Sequence, residues 1–385
     1  MTTPAPEVAR ALGKKIPLST SHAVVLTGIR RCGKSTLLAQ ILNRAQPAAF
    51  ITFEDTRLFQ LEVQDFSTLL SALDEVCPAN AAVGLDEVQE LSEWQRLVRA
   101  LLDRGRTVYV TGSNASLLGR ELGVRLSGRH LSFEVHPFSY SEYLDYTRQP
   151  VSEASFRAYL DDGGFPEYLR ERNDHILHEL VRDVIRRDIA SRYGLRELRH
   201  LMNLALFLLA NTGQAFSLQR LTKSLAVPTV GQTARYVEYL QDAYLLMALP
   251  KFGPAFRKRV VSPRKYYAVD NGLRRANSPQ AAPDVDHRLE NVVYLALQEK
   301  HPDVTYAGER DLWECDFIAG DAAIQVCAEL TESNKAHELA GLLHAVQLCG
   351  SRRAMVLTLH QTDRFAVEGF NVHVVPVWRW LCESE

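Results

Sequence analysis

The chain has 385 residues, 46% of them hydrophobic and 23% charged, which is enough to bury two or three cores without covalent staples. A formal net charge of -2 excludes an overall basic, histone-like binder, so any nucleic-acid contact must come from local patches. Six scattered cysteines with no CxxC pair, and no His cluster at metal spacing, exclude a zinc ribbon and suit a reducing cytoplasm. Met1 to Pro6 carries no basic-then-apolar signal pattern, and the most apolar stretch, 201–210, is too short to span a bilayer and is interrupted by Asn203. The expectation is a cytoplasmic protein with no membrane span and no structural metal.

The first predicted element is a buried strand, Ala23–Thr27, closing on glycine. The run Gly28-Ile29-Arg30-Arg31-Cys32-Gly33-Lys34-Ser35 then fits GxxxxGK[ST], and 36–42, beginning at Thr36, continues as a helix. Strand, glycine loop and helix in that order make a phosphate cradle. The glycines let backbone N–H groups approach the phosphates at the positive end of a helix. Lys34 reaches the β and γ phosphates, and Ser35 offers a hydroxyl to Mg²⁺. A second strand, 49–53, ends at Glu54 and Asp55, which either assist magnesium or water or shape the loop.

The strand 81–85 runs into Asp86-Glu87, about fifty residues after the loop. In a P-loop enzyme the first such carboxylate holds Mg²⁺ and the second polarises the attacking water. The strand 107–111 closes on Gly112-Ser113-Asn114, where a polar residue can sit between the carboxylates and the γ phosphate. Asn114 is the candidate for that sensing position; otherwise it caps the helix that follows.

Taken in order, GIRRCGKST, ITFEDTRL, VGLDEVQ, TGSN, LSGRH and HPFSYSEYL resemble the N-terminal module of a bacterial and archaeal AAA+-type ATPase family with a characteristic C-terminal region. The resemblance covers nearly the whole chain. It implies a parallel sheet of the additional-strand P-loop class, ATP and Mg²⁺ as cofactors, and Glu87 as the catalytic glutamate. It also implies a nucleotide contact by Arg129, in this chain or a neighbouring subunit, with Arg125 and Arg120 as rivals. Each of the three is otherwise a solvated arginine.

Gly163-Gly164-Phe165-Pro166-Glu167 resembles the opening of that family's C-terminal region. The segment 181–200 is predicted mainly helical and sets six arginines against Asp183, Asp188 and Glu197. It is a solvated face with ion pairs, or a phosphate-binding face. Helices over 201–211, 216–221 (with Ser217 as N-cap) and 229–240 precede an apolar run, a basic hairpin and a strand at 266–269. That is the plan of a winged helix, whose last helix enters a major groove or grips a protein. The helix 229–240 sets Gln232, Thr233, Arg235 and Tyr236 on its polar side. Arg257, Lys258, Arg259, Arg264 and Lys265 favour DNA.

The helix near 291–299, the three strands after it, the helix 336–347 and two further strands resemble the order of a PD-(D/E)XK nuclease. Metal binding there needs a helix Glu, a strand Asp and Glu-x-Lys. The corresponding positions are Glu290, Asp316 and Gln325-Val326-Cys327. Gln325 removes a charge and Cys327 an ammonium, so nuclease activity is predicted absent. The fold class expected is α/β: a P-loop parallel-sheet ATPase domain (1–148), a helical segment (149–200) and winged helix (201–272), then a smaller α/β nuclease-like domain (273–385). The function expected is an ATP-hydrolysing, DNA-binding homo-oligomer, against two alternatives: an ATP-gated nuclease, or a signalling or scaffold ATPase that binds proteins.

Overall fold

The computed structural model describes residues 8–113, 128–253, 262–278, 284–309 and 312–383. The chain divides into two compact units: Met1–Pro137 with Arg187–Ile189 and Asp242–Tyr244, and the remainder from Phe138 onward. Among the described residues no helix is long and apolar enough to cross a membrane.

The first unit is built on strands β1 (Ala23–Thr27), β2 (Ala48–Thr52), β3 (Ala82–Asp86), β4 (Val108–Gly112) and β5 (His130–Glu134). All neighbours pair in parallel, in the order β2-β3-β4-β1-β5. β4 therefore lies between the strand that feeds the phosphate loop and the strand that ends in the carboxylates. β1, β3 and β4 are buried along their whole length, which explains their unbroken apolar runs. Val83 and Leu85 belong to the same core cluster as Leu97, Val98 and Leu101 of the helix Trp94–Asp103. Gly84 faces the opposite way, where a Cβ would come within 2.5 Å of Leu42 in the helix Lys34–Arg44. Its missing side chain lets that helix, and with it the phosphate loop, sit close on the sheet.

The second unit opens with short helices, among them Tyr140–Thr147, Glu153–Asp162 and Asp174–Asp183. The helix Arg199–Ala210, strand β6 (Ala215–Phe216), helices Leu218–Ser224 and Val230–Asp242, and strands β7 (Leu246–Leu249) and β8 (Arg264–Ala268) follow. The three strands form an antiparallel sheet in the order β6-β8-β7. Ser217 caps its helix, accepting from the N–H of Arg220 at 3.2 Å. The helix Val285–Lys300 leads into strands β9 (Thr305–Glu309), β10 (Trp313–Ala319) and β11 (Ala322–Val326). After the helix Lys335–Cys349 come β12 (Arg353–Thr358), β13 (Asp363–Val367) and β14 (Phe370–Pro376). The sheet order is β13-β14-β12-β11-β10-β9, with β11, β12 and β14 parallel and the outer pairings antiparallel.

The segment 181–200, predicted mainly helical with a possible interruption at Gly194, does break there, where Gly194 takes φ 63. Val184–Ala190 is wound as a π-helix, and Asp188 inside it is 8% exposed and groups with the first unit. Asp188 is therefore no member of a solvated ion-pair face. Arg182 keeps that kind of pairing, with Glu179 at 2.5 Å.

Candidate nucleotide site

β1 ends at Thr27, and the chain must turn sharply to enter the next helix. Gly28 lies at φ 146, and a Cβ there would stand 2.1 Å from the carbonyl oxygen of Val135. Gly33 adopts φ 101 as the N-cap residue, so the helix begins at Lys34 with its free N–H groups at the loop. Lys34 is 3% exposed, and its Nζ donates to the carbonyls of Gly28 and Ile29, each at 3.2 Å. The ammonium is thus held inside the loop that the sequence assigns to phosphates. Ser35 and Thr36 are exposed beside it.

Two contacts that no local pattern announces pin this loop. The Cys32 thiol donates to the carbonyl of Val135 at 3.1 Å, and burial pushes that thiol's pKa up. Arg10, itself buried, donates from Nη1 to the Cys32 carbonyl at 2.9 Å and from Nη2 to the His136 carbonyl at 2.6 Å.

Asp86 and Glu87 stand at the end of β3, 5% and 8% exposed. Thr111 on β4 joins them. Its hydroxyl donates to Asp86 Oδ1 at 2.6 Å and accepts the N–H of Glu87 at 2.9 Å. The hydroxyl of Ser35 is the second hydroxyl that pulls the Asp86 carboxyl down. Burial pushes the Asp86 carboxyl above its ordinary range, against the pull of these two hydroxyls and Lys34. Glu87 has a left-handed backbone, φ 53 and ψ 51, and Gln89 donates to its carboxylate. A non-glycine residue in that region persists only where its surroundings hold it, and such positions cluster at functional sites. The structure thus brings together Lys34, Ser35, Asp86 and Glu87, and Thr111 is the member sequence reasoning missed. A hydroxyl and a carboxylate make an all-oxygen donor pair that fits Mg²⁺, which takes few protein ligands and keeps several waters.

Arg30 of the loop leaves the phosphate side for a carboxylate. Its Nη2 and Nε donate to Asp188 at 2.9 and 3.3 Å, and Ser113 at the end of β4 donates to the same carboxylate at 3.3 Å. Hydrogen bonding and charge from Asp188 hold the guanidinium above its ordinary pKa against the effect of burial. Glu54 stands 3.8 Å from Arg30 Nη1, while Asp55 caps the turn Thr56–Leu58 and pairs with Arg57. Asp55 therefore shapes the loop.

Asn114, Arg120 and Arg125 lie outside the described residues. Arg129 precedes β5, its carbonyl bound to the N–H of Ala23, and its Nη2 pairs with Asp103 at 2.8 Å. Ala23 is the first residue of β1 and the phosphate loop follows the last, so Arg129 stands at the end of the strands opposite the loop. The expectation that Arg129 contacts its own chain's nucleotide is corrected; contact with a neighbour's is what remains of it.

The predicted DNA-binding set is also divided. Arg257, Lys258 and Arg259 lie outside the described residues, and Arg264 is half-buried. Lys265 is corrected outright: it is 2% exposed and paired with Glu290, Glu314 and Asp316. Alternation along β8 turns it inward, and a basic run in sequence carries no mark of that. On the helix Val230–Asp242, Thr233 and Tyr236 are likewise buried, which leaves Gln232 and Arg235 of the residues expected on its polar side.

Residues 20–144 match the AAA domain family, and residues 153–284 match a domain of unknown function (DUF8612). An uncharacterized protein of Haemophilus influenzae is 29% identical, covering 93% of this chain and 94% of its own length. Uncharacterized protein MJ1544 of Methanocaldococcus jannaschii is 28% identical over 95% of this chain and 89% of its own. Among solved structures, the Aeropyrum pernix ORC1 protein in complex with DNA aligns at a TM-score of 0.33 and 14% identity, over 67% of this chain and 87% of that one. AMPPCP-bound DnaA from Aquifex aeolicus aligns at 0.28 and 12% identity, over 57% and 81%. The sheet order and the phosphate loop are those of a P-loop ATPase domain, and residues 20–144 are similar to the AAA domain family.

Proposed function

We propose that the protein binds ATP with Mg²⁺ in the loop Gly28 to Thr36, hydrolyses it with Glu87 as general base, and applies the cycle to DNA as a homo-oligomer. The observation that carries the ATPase reading is the linked set Ser35, Asp86, Thr111 and Glu87, in which one threonine hydroxyl holds both members of the carboxylate pair. Lys34 exchanges its two loop carbonyls for phosphate oxygens, a trade of neutral acceptors for charged ones that favours the nucleotide-bound form. Ser35 and Asp86 hold Mg²⁺, which when bound neutralises charge developing on the transferred phosphoryl group. Glu87 orients and deprotonates the attacking water, and Arg129 serves the nucleotide of a neighbouring subunit.

The DNA reading rests on the second unit. Helix, strand, two helices and a hairpin on a three-stranded sheet is the element order of a winged helix. In sequence, Arg257, Lys258 and Arg259 fall between β7 and β8, outside the described residues. Lys265 no longer contributes to this argument.

Lys34→Ala is expected to abolish tight binding of a fluorescent ATP analogue, since it deletes the loop's ammonium. Glu87→Gln is expected to keep ATP affinity within a few-fold while turnover falls by on the order of 10²-fold or more. Single-turnover hydrolysis at the wild-type rate in Glu87→Gln would remove the general-base assignment.

A further inference from the structure

The nuclease-like order of the C-terminal elements implies a divalent metal between a helix carboxylate and a strand carboxylate. Glu290 and Asp316 do converge, but the residues present do not fit a metal there. Lys265 reaches between them from β8: its Nζ lies 2.8 Å from Glu290 Oε1, 3.0 Å from Asp316 Oδ1 and 2.7 Å from Glu314 Oε1. Two of the ammonium's three N–H donors go to Glu290 and Asp316, and Glu314 stands within ion-pair distance of the same nitrogen. Two further donors hold the buried carboxylates. Tyr267 donates its hydroxyl to Glu290 Oε1 at 2.6 Å, and the N–H of Val326 donates to Asp316 Oδ2 at 2.9 Å.

Gln325 occupies the next metal-ligand position and is engaged elsewhere. Its Nε2 donates to Glu338 at 2.8 Å, and its Oε1 accepts the N–H of Asp316 at 3.4 Å. Cys327 is buried, and burial pushes its thiol up to about 12, away from the thiolate a metal would need. The ring of Tyr306 stands 5.6 Å from Lys265 Nζ. Glu290, Asp316 and Lys265 are all at least nine-tenths buried, whereas the side chain of Glu314 is 48% exposed. Two buried carboxyl groups are thus met by one buried ammonium, with a third carboxylate at the rim, and burial pushes the Glu290 carboxyl up to about 8.

We infer that Lys265 is a built-in counter-cation: its ammonium takes the position a divalent metal would occupy and closes this carboxylate site to Mg²⁺ and Mn²⁺. A metal could enter only by stranding a buried ammonium, and an unpaired buried charge is strongly unfavourable. The pairing also ties β8, in the three-stranded sheet, to the helix Val285–Lys300 and to β10. This assignment is independent of the ATPase reading.

The test uses the full chain, free of nucleotide, titrated with Mn²⁺ and followed by electron paramagnetic resonance. Wild type should show no Mn²⁺ site that depends on Asp316. Lys265→Ala should gain one such site and lose it again on adding Asp316→Asn. Asp316-dependent Mn²⁺ binding by wild type would overturn the inference, as would a folded Lys265→Ala protein that gains no site. Should Lys265→Ala fail to fold, thermal melting of Lys265→Met against the triple variant Lys265→Met/Glu290→Gln/Asp316→Asn decides. The neutral triple should melt higher than the single variant, and a triple no more stable than the single would equally sink the inference.

Discussion

Thr111 shows how much a single hydroxyl carries. Removing it leaves the buried Asp86 carboxylate short of a donor and frees the N–H of Glu87, the residue with the left-handed backbone. Thr111→Val preserves shape and deletes both bonds. It should destabilise the first unit by about 1–3 kcal/mol, the cost of an unsatisfied buried group. Turnover should fall by on the order of tenfold or more, with a smaller change in ATP affinity, since the variant loosens the general base and leaves Lys34 in position. Steady-state kinetics beside thermal melting would check it, and unchanged kcat would remove Thr111 from the machinery. At this scale the loop and the carboxylate pair were legible in sequence because each is a contiguous motif. Arg10, Thr111 and Asp188 were not. Thr111 looks like any β-branched strand residue, and Asp188 meets Arg30 across 158 positions. Lys265 misled for the same reason, since its three partners lie 25 to 51 positions away and burial leaves no local sign.

At the scale of elements, the Gly163-Gly164 motif has a structural explanation. Asp270 caps the helix Asn271–Asn277 by accepting the N–H of Leu273 at 2.8 Å, and it also accepts the N–H of Gly164 at 2.6 Å. A Cβ at Gly163 would meet that carboxylate at 2.3 Å, and one at Gly164 would meet the carbonyl oxygen of Phe138 at 2.2 Å. The two glycines let two segments about a hundred residues apart share one buried carboxylate. Burial pushes the Asp270 carboxyl up from 3.8 to about 6, against the pull of the backbone N–H groups. The sign follows from linkage. Between about pH 4 and pH 6 the folded chain keeps a proton that the unfolded chain has released, so this group's contribution to stability falls as pH rises through that window. The loss is on the order of 2–3 kcal/mol. The urea stability of wild type minus that of Asp270→Asn should therefore decrease from pH 4 to pH 7, and a difference that is flat across this range would contradict the shift. Most helices and strands were readable from periodicity, β14 among them, but the edge strand β13 that pairs with it was not. The turn between them uses Glu368 and Gly369 at φ 49 and 84, and a glutamate is an uncommon left-handed residue to anticipate. The π-helix Val184–Ala190 escaped because its sequence fits an ordinary helix equally well; the winding becomes visible only through the buried position of Asp188.

For the whole molecule, charge decides what the second unit can grip. Any basic surface here has to be local, because the net charge of the chain is -2. With Lys265 consumed by internal carboxylates, DNA contact falls to Arg257, Lys258 and Arg259, which lie between β7 and β8 in sequence, and to Arg264. Contacts of this kind would be made to phosphates, so affinity should fall linearly on a logarithmic salt scale, by about 0.9 log unit per phosphate neutralised on duplex DNA. Replacing Arg257, Lys258 and Arg259 together by glutamate should abolish most binding, lower the salt slope by up to about 3, and leave basal ATP hydrolysis near the wild-type rate. Fluorescence anisotropy on duplex, fork, four-way junction and single strand, with and without ATP, would measure all of this and rank the preferred structure. Lys265→Ala should not weaken DNA binding as the hairpin reversal does, since its ammonium faces Glu290 and Asp316 rather than solvent. Divalent-metal-dependent cleavage lost on Asp316→Ala would favour an ATP-gated nuclease and would also contradict the closed carboxylate site. No binding to any of the four structures, in either nucleotide state, would turn the winged-helix order towards protein partners and leave a signalling or scaffold ATPase as the reading that survives.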